Sequence, residues 1–553
     1  MGLASDDVLS LATNRWEDAR SSLANSLKTY LNSCISLDLD PDLGYGHSNT
    51  KDLASRIDST LGSLHEMSLQ FAQSIATISR IRNKFASPIW SLPKEIISEI
   101  FLNIVYAPET MNLPMTKCLQ TMYRNLHSLM AVCSVWRHLA LIQGQLWETV
   151  PASNDPIKRV AVDLSIERSR GRALRFAAIL PKGGAPAFLL KAVTEQASRI
   201  CSLNVQCLES KPLRDIITAV LKADAPSRLS QLSIYCRSYK HMKAYILLPD
   251  SPNYSTFNEL MKSLSALRLG GLRIHWENIV FSNRLVELCL RGVTLGSDSA
   301  MLSFLSALTS ASELRDLKIM FVVAHRRPGE TVSLARSVPK VAFPKLQYLL
   351  LSDLPFNVLE FFLLAIAPCS YHLTVDISKQ TLNISGGDHW AMGQVSPGDL
   401  AALLSPVDID SLYLLRGPLD AVDLWLTGSG FRQLLGSTPR LKELTINGWV
   451  FDTAFCNGLC PLSPDESESP NLEILRFLNA RISDEEGFKR IATGIPAQTM
   501  VFGGYIEAGS GKWVEPKGDN DVVSWLESNI PSLRLVDSNY KSLEFSSDAW
   551  LLW

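Results

Sequence analysis

The sequence predicts an α/β chain in three parts: a helical hairpin over residues 1–87, a small helical block over 88–150, and a curved solenoid of parallel strands and returning helices over 151–553. Three observations lead there. The order apolar-x-x-apolar-x-apolar recurs ten times between Ile200 and Leu535. Ahead of it, residues 92–147 carry apolar stripes at spacings of three and four. Residues 53–85 extend such a stripe for more than 30 positions without a proline.

Whole-chain properties narrow the function classes. A chain of 553 residues holds two or three domains and a large core. A net charge of -2 with 20% charged residues argues against nucleic-acid and membrane-surface binding and points to protein partners. The opening MGLASDD lacks the basic and apolar regions of a signal peptide, and Asp6 stands where a myristoylation signal has Ser or Thr. The longest apolar run, Leu359 to Ala367, is about half of what a bilayer span needs. Ten dispersed cysteines, several in apolar segments as at Cys289, fit a reducing compartment, so a cytoplasmic or nuclear location is expected.

In the first part, Leu23, Leu27, Tyr30 and Cys34 form a short stripe, and Pro41 to Asn49 breaks the helix. From Leu53, the positions Ile57, Leu61, Leu64, Phe71, Ile75, Ile78, Ile81 and Phe85 describe one long amphipathic helix. It is expected to pair with the first helix as a hairpin. Ser68 and uneven spacings weaken a strict heptad, leaving self-association through residues 53–85 as the lesser alternative.

In the second part, Leu92-Pro93 opens a helix whose Ile96, Ile97, Ile100, Phe101 and Ile104 form a broad stripe. A further helix is predicted through Leu126, Leu129, Cys133, Trp136 and Ala140, followed by Leu146 and Trp147. About 60 residues bury too little surface to stand alone, so part of this stripe is expected to meet a partner. The ordered pieces Leu92-Pro93-x-Glu95-Ile96, Ile100-Phe101, Val132-Cys133-x-x-Trp136-Arg137 and Leu146-Trp147 resemble the F-box. That resemblance implies docking on a Skp-type adaptor and, through it, a cullin, by Leu92, Pro93, Ile96, Ile97, Ile100, Phe101, Val132, Cys133, Trp136 and Trp147. The chain departs from the family in the roughly 20 residues from Tyr106 to Asn125, read as a lengthened surface connection.

In the third part, Arg168, Arg170, Arg172 and Arg175 read as a solvated strand edge or a contact with a nearby acidic segment. The recurring signature then starts at Ile200, Leu229, Leu264, Leu285, Leu314, Leu346, Ile409, Leu441, Leu472 and Ile530. Successive starts lie 29, 35, 21, 29, 32, 63, 32, 31 and 58 residues apart, so each long interval should hide one degenerate repeat. The pattern resembles irregular leucine-rich repeats, each giving a strand and a returning helix such as Met301 to Ala311 or Phe361 to Cys369. Residues alternating with the signature should face outward, making Tyr235, Arg268, Glu287, Arg291, Lys318, Tyr348, Tyr413, Asn447 and Arg476 candidates for holding a target protein. Four segments are read as surface loops: 325–340, 379–399, 455–470 and 503–521. The ending SDAWLLW is expected to cap the last repeat.

No catalytic motif emerges. GSGKW at Gly509 to Trp513 is similar to a phosphate loop, yet Ile506 replaces its first glycine and Trp513 its magnesium-binding hydroxyl. His65-Glu66 lacks a second histidine, and Cys456 with Cys460 has no second ligand pair nearby. No cofactor, metal, nucleic acid or membrane partner is expected. The function implied is a non-catalytic substrate receptor of a Skp-cullin-F-box ubiquitin ligase, with an adaptor-binding scaffold lacking any ligase role as the alternative, and an enzyme with an unrecognised site as a third reading.

Overall fold

The computed structural model describes residues 3–38, 50–86, 88–111, 113–153, 156–222, 228–237, 245–325, 340–386, 391–416, 425–459, 470–508, 512–515 and 520–538. It divides into two compact units, Met1–Pro93 and Lys94–Trp553. The first contains helices α1 (Leu3–Asp38) and α2 (Thr50–Ala86). The second holds both the helical block and the strands. The second helical block joins the solenoid because Ala177 and Ile179 pack into its core.

That block consists of α3 (Lys94–Val105), α4 (Pro108–Met111), α5 (Met115–Val132) and α6 (Ser134–Ile142). The connection read as a loop over Tyr106 to Asn125 is instead α4 and the first half of α5. Met115, Cys118, Leu119 and Met122 recur on one face of α5 and are buried in the block's core. Tyr123 ties α5 to the next layer, its hydroxyl donating to Thr149 O at 3.0 Å and lying 2.8 Å from Ser165 Oγ.

The solenoid opens with β1 (Thr149–Ser153), β2 (Leu174–Ile179), β3 (Ile200–Cys207), β4 (Gln231–Cys236), β5 (Ala266–Gly270), β6 (Glu287–Arg291) and β7 (Thr294–Ser297). There follow β8 (Asp316–Met320), β9 (Val323–His325), β10 (Tyr348–Ser352), β11 (His372–Ile377), β12 (Asn383–Ser385), β13 (Ala391–Gln394) and β14 (Ser411–Leu415). The last are β15 (Glu443–Asn447), β16 (Val450–Phe451), β17 (Leu472–Ile482), β18 (Ala497–Ala508), β19 (Lys512–Val514) and β20 (Leu533–Leu535). One sheet runs in the order β1-β2-β3-β4-β5-β6-β8-β10-β11-β14-β15-β17-β18-β19, and all but the β18–β19 pair are parallel. β20 adds to β18, β16 to β17, and β7 with β9 forms a separate parallel pair.

The repeat signature predicts the interior. Leu203 and Val205, Leu232 and Ile234, Leu267 and Leu269, and Leu288 and Leu290 are all fully buried in one core continuous through the repeats. Both long intervals contain the missing strand, β11 and β18. They evade the signature because Ser370 and Ala497 occupy the first apolar position while Leu373 with Val375 and Met500 with Phe502 keep the rest. The segments read as returning helices form helices over Asp298–Leu308 and Phe356–Ala365. Neighbouring repeats are cross-linked by edge-to-face rings, as between Trp276 and Phe304 at 4.8 Å and between Phe451 and Phe488 at 5.1 Å.

Three of the four predicted loops contain regular structure among their described residues. β12 and β13 form an antiparallel pair inside 379–399, Phe455 and Cys456 are buried in a helix spanning Thr453–Leu459, and β18 and β19 occupy part of 503–521. Residues 326–339, Cys460 and the terminal SDAWLLW lie outside the described residues. Within the arginine cluster, Arg172 Nε is 2.5 Å from Glu148 Oε1, and Arg168 lies over the Trp147 ring.

One polar cluster sits in the sheet. Ser352 donates to Asp376 Oδ2 at 2.6 Å across β10 and β11, Ser378 donates to Asp353, and Asp376 Oδ1 is buried without a partner. Burial, set against the Ser352 bond and reinforced by Asp353, raises the Asp376 carboxyl to about 7 from 3.8. The folded chain keeps this proton to higher pH than the unfolded chain, so the associated stability is full below about pH 4 and is lost as the pH rises through about 7. Asp376→Asn keeps the shape and removes the charge. The melting temperature of the variant should gain on the wild type by several degrees between about pH 5 and about pH 8; a pH-independent difference would contradict a protonated Asp376.

A second test addresses packing between repeats. A Cβ on Gly428 would collide with Phe455 O and Leu459 N. Gly428→Ala should therefore cost about 2 kcal/mol or more of stability, seen as a lower denaturant midpoint, whereas an unchanged midpoint would rule out so close an approach.

Candidate functional site

In α3 six apolar residues resolve into two adjoining stripes. Ile97, Phe101 and Val105 point inward and are at most 7% exposed. Ile96 and Ile104 remain 48% and 39% exposed, with Ile100 half-buried between them. The single helix expected through Leu126 and Ala140 is broken at Cys133, whose backbone is extended at φ -161 and ψ 170. Its Sγ accepts the Trp136 N–H at 3.4 Å and caps α6. Val132, at this corner, is 56% exposed, and the half-buried Trp136 ring lies 5.0 Å from Phe101. Trp147 is enclosed, donating from Nε1 to Ala140 O at 2.9 Å.

The residues expected to dock an adaptor thus separate by role. Ile97, Phe101 and Trp147 are corrected to core residues, because burying one stripe of α3 against α5 and α6 encloses them. Ile96, Ile100, Val132, Cys133 and Trp136 remain at least partly accessible, and Ile104, absent from the expected docking set, belongs with them. Its place follows from the i, i+4 spacing with Ile96 and Ile100. Leu92 and Pro93 are exposed and belong to the first compact unit.

On the sheet, the residues alternating with the repeat signature lie on the face away from the main core, in aligned rows. The register places Tyr235 beside Gly270, which is beside Arg291, and places Tyr413 beside Thr445, which is beside Arg476. Arg268 lies beside Cys289, which is beside Lys318, and Asn447 sits at a strand end. Most of the candidates are half-buried and partnered across strands. Arg268 Nε is 2.7 Å from Glu287 Oε1, and Arg476 Nη1 is 2.8 Å from Glu443 Oε2. Lys318 sits over the Tyr348 ring, which stacks on His372 at 5.9 Å. Arg291 is corrected to a buried residue, 7% exposed, with its guanidinium 5.6 Å from the Phe321 ring centre. Sequence alternation finds the face but is blind to this pairing, which depends on residues some 20 to 30 positions away.

An open cleft of about 500 Å³ lies at the edge of β10, β11 and β14, lined in part by Tyr371, Cys369, Asp408, Asp410, Arg440 and Lys442. Its acids are matched by bases: Asp408 meets Arg440 at 2.5 Å and Asp410 meets Lys442 at 2.6 Å. Burial opposes ionisation of Asp410, yet the Lys442 bond and the Leu373 N–H hold its carboxyl below the usual range. Such pairs hold charge in place. Among the described residues there is no group of three or more His, Cys, Asp or Glu arranged to hold a metal, and no helix long and apolar enough to cross a membrane.

No family model matches the chain, and no curated protein matches it. Among solved structures, a crystal structure of the Rad7 and Elc1 complex in yeast aligns over 77% of this chain and 93% of that chain, at 11% identity and a TM-score of 0.33.

Proposed function

We propose that this chain is a non-catalytic receptor subunit of a Skp-cullin-F-box ubiquitin ligase. α3 and α6 would dock a Skp-type adaptor, and the outward row of the sheet would hold a target protein. The observation that carries the reading is the outer apolar set of Ile96, Ile100, Ile104 and Val132, left accessible beside an already complete core. Burial of such side chains by a partner contributes about 1.5–3 kcal/mol each when complete, so this small set supplies a docking free energy without unfolding either protein. The F-box-like order of residues names the partner class. Ubiquitin transfer would then rest on proximity to a conjugating enzyme carried elsewhere on the complex, with the reactive cysteine outside this chain.

Pull-down with a Skp-type adaptor and a cullin tests this reading. The wild-type chain should retain both. The pair Ile96→Asp and Val132→Asp places charge on accessible positions, so it should reduce adaptor capture at least tenfold, about 1.4 kcal/mol, while leaving the melting of the solenoid unchanged. Capture unaffected by the pair sinks the docking assignment, and retention of adaptor without cullin supports the scaffold reading over the ligase.

A further inference from the structure

α1 and α2 leave their apolar stripes in water. Every described side chain of both helices is at least partly exposed, including Trp16 at 45%, Leu27 at 53%, Leu61 at 57%, Ile75 at 64% and Phe85 at 69%. Each helix is about 54 Å long, and helices in proteins draw most of their stability from covering such a stripe. The spacing within α2 specifies what covers it. Ile57, Leu64, Phe71, Ile78 and Phe85 follow one another at intervals of seven. A straight helix drifts by about 20° per heptad, so this ladder stays in line only when a second helix winds beside it.

Two further features of α2 identify that second helix. The ladder is symmetric about Phe71, with Leu64 and Ile78 seven residues away and Ile57 and Phe85 fourteen. Charge is uneven about that centre: the acids Asp52, Asp58 and Glu66 precede Phe71 together with Lys51 and Arg56, a net of -1, whereas Arg80, Arg82 and Lys84 follow it, a net of +3. Two copies side by side in the same direction would set the arginines against each other. In opposite directions, each basic end meets the half that holds all the acids, with Lys84 opposite Asp58 by the symmetry about Phe71.

We propose that α2 is a self-association element that pairs antiparallel with α2 of a second copy of this chain, Phe71 meeting its counterpart on the two-fold axis. Such a pairing is isologous and closes on itself as a dimer. The stripe of α1, with Trp16, Leu23, Leu27 and Tyr30, supplies the outer walls, so that four helices enclose a core that the two helices of one chain leave open. The polar Thr60 and Ser74 between ladder residues weaken the seam without interrupting it. This inference stands independently of the adaptor reading.

Sedimentation equilibrium of the full chain tests it. The wild type should have twice the mass of one chain at tens of micromolar. Phe71→Glu and Phe71→Lys, each on a partly exposed position, should each be monomeric, and an equimolar mixture of the two should recover the dimer. Direction is tested by Ile57→Glu combined with Phe85→Lys in one chain: antiparallel pairing sets opposite charges together and keeps the dimer, whereas parallel pairing loses it. A monomeric wild type, a dimeric Phe71→Glu chain or a monomeric double variant would each overturn the proposal.

Discussion

The structure depends on one constraint: a strand with its returning helix, about 30 residues, cannot cover its own apolar side. Each unit's Leu-x-Leu pair is buried only because the next unit closes over it, so Leu232 with Ile234 and Leu267 with Leu269 are enclosed jointly. Backbone pairing in a parallel ladder fixes the alignment, and the edge-to-face rings from Trp276 through Phe304 to Phe362 carry the packing across three repeats. In β20, Leu533 is half-buried and Leu535 is exposed.

The same ladder that buries one face organises the other. Parallel register brings side chains of neighbouring strands within reach of one another, and opposite charges or stacked rings occupy those sites. Arg268 with Glu287 and Arg476 with Glu443 therefore stiffen the sheet as much as they present a surface, and a target would have to bind an already paired array. Asp376 shows the opposite solution, a carboxyl that burial and the neighbouring Asp353 push toward its neutral form against the Ser352 bond.

At the helical block the distribution of apolar residues exceeds what the fold consumes. α5 and α6 cover only one stripe of α3, and Trp136 leans on Phe101 from the side, leaving Ile96 and Ile104 as surplus. The N-terminal helices repeat that imbalance on a larger scale. A chain with few charges and several uncovered apolar stripes is suited to assembly with other polypeptides.

The amino-acid sequence by itself determined the solenoid, its period of about 30 and the identity of its interior, because the repeat's apolar positions are short-range and recur. It also indicated one degenerate repeat inside each doubled interval, but not its strand, because Ser370 and Ala497 mask the first position. Only the tertiary structure decided which of two adjoining stripes on α3 turns inward, since both have helical spacing and the choice is made by α5 and α6. It likewise decided that residues 115–125 are helical core rather than connection, that Cys133 splits one apparent helix into two, and that Arg291 is buried. Periodicity records where a residue lies on its own element. Burial and pairing are set by neighbours distant in sequence, which no local pattern encodes.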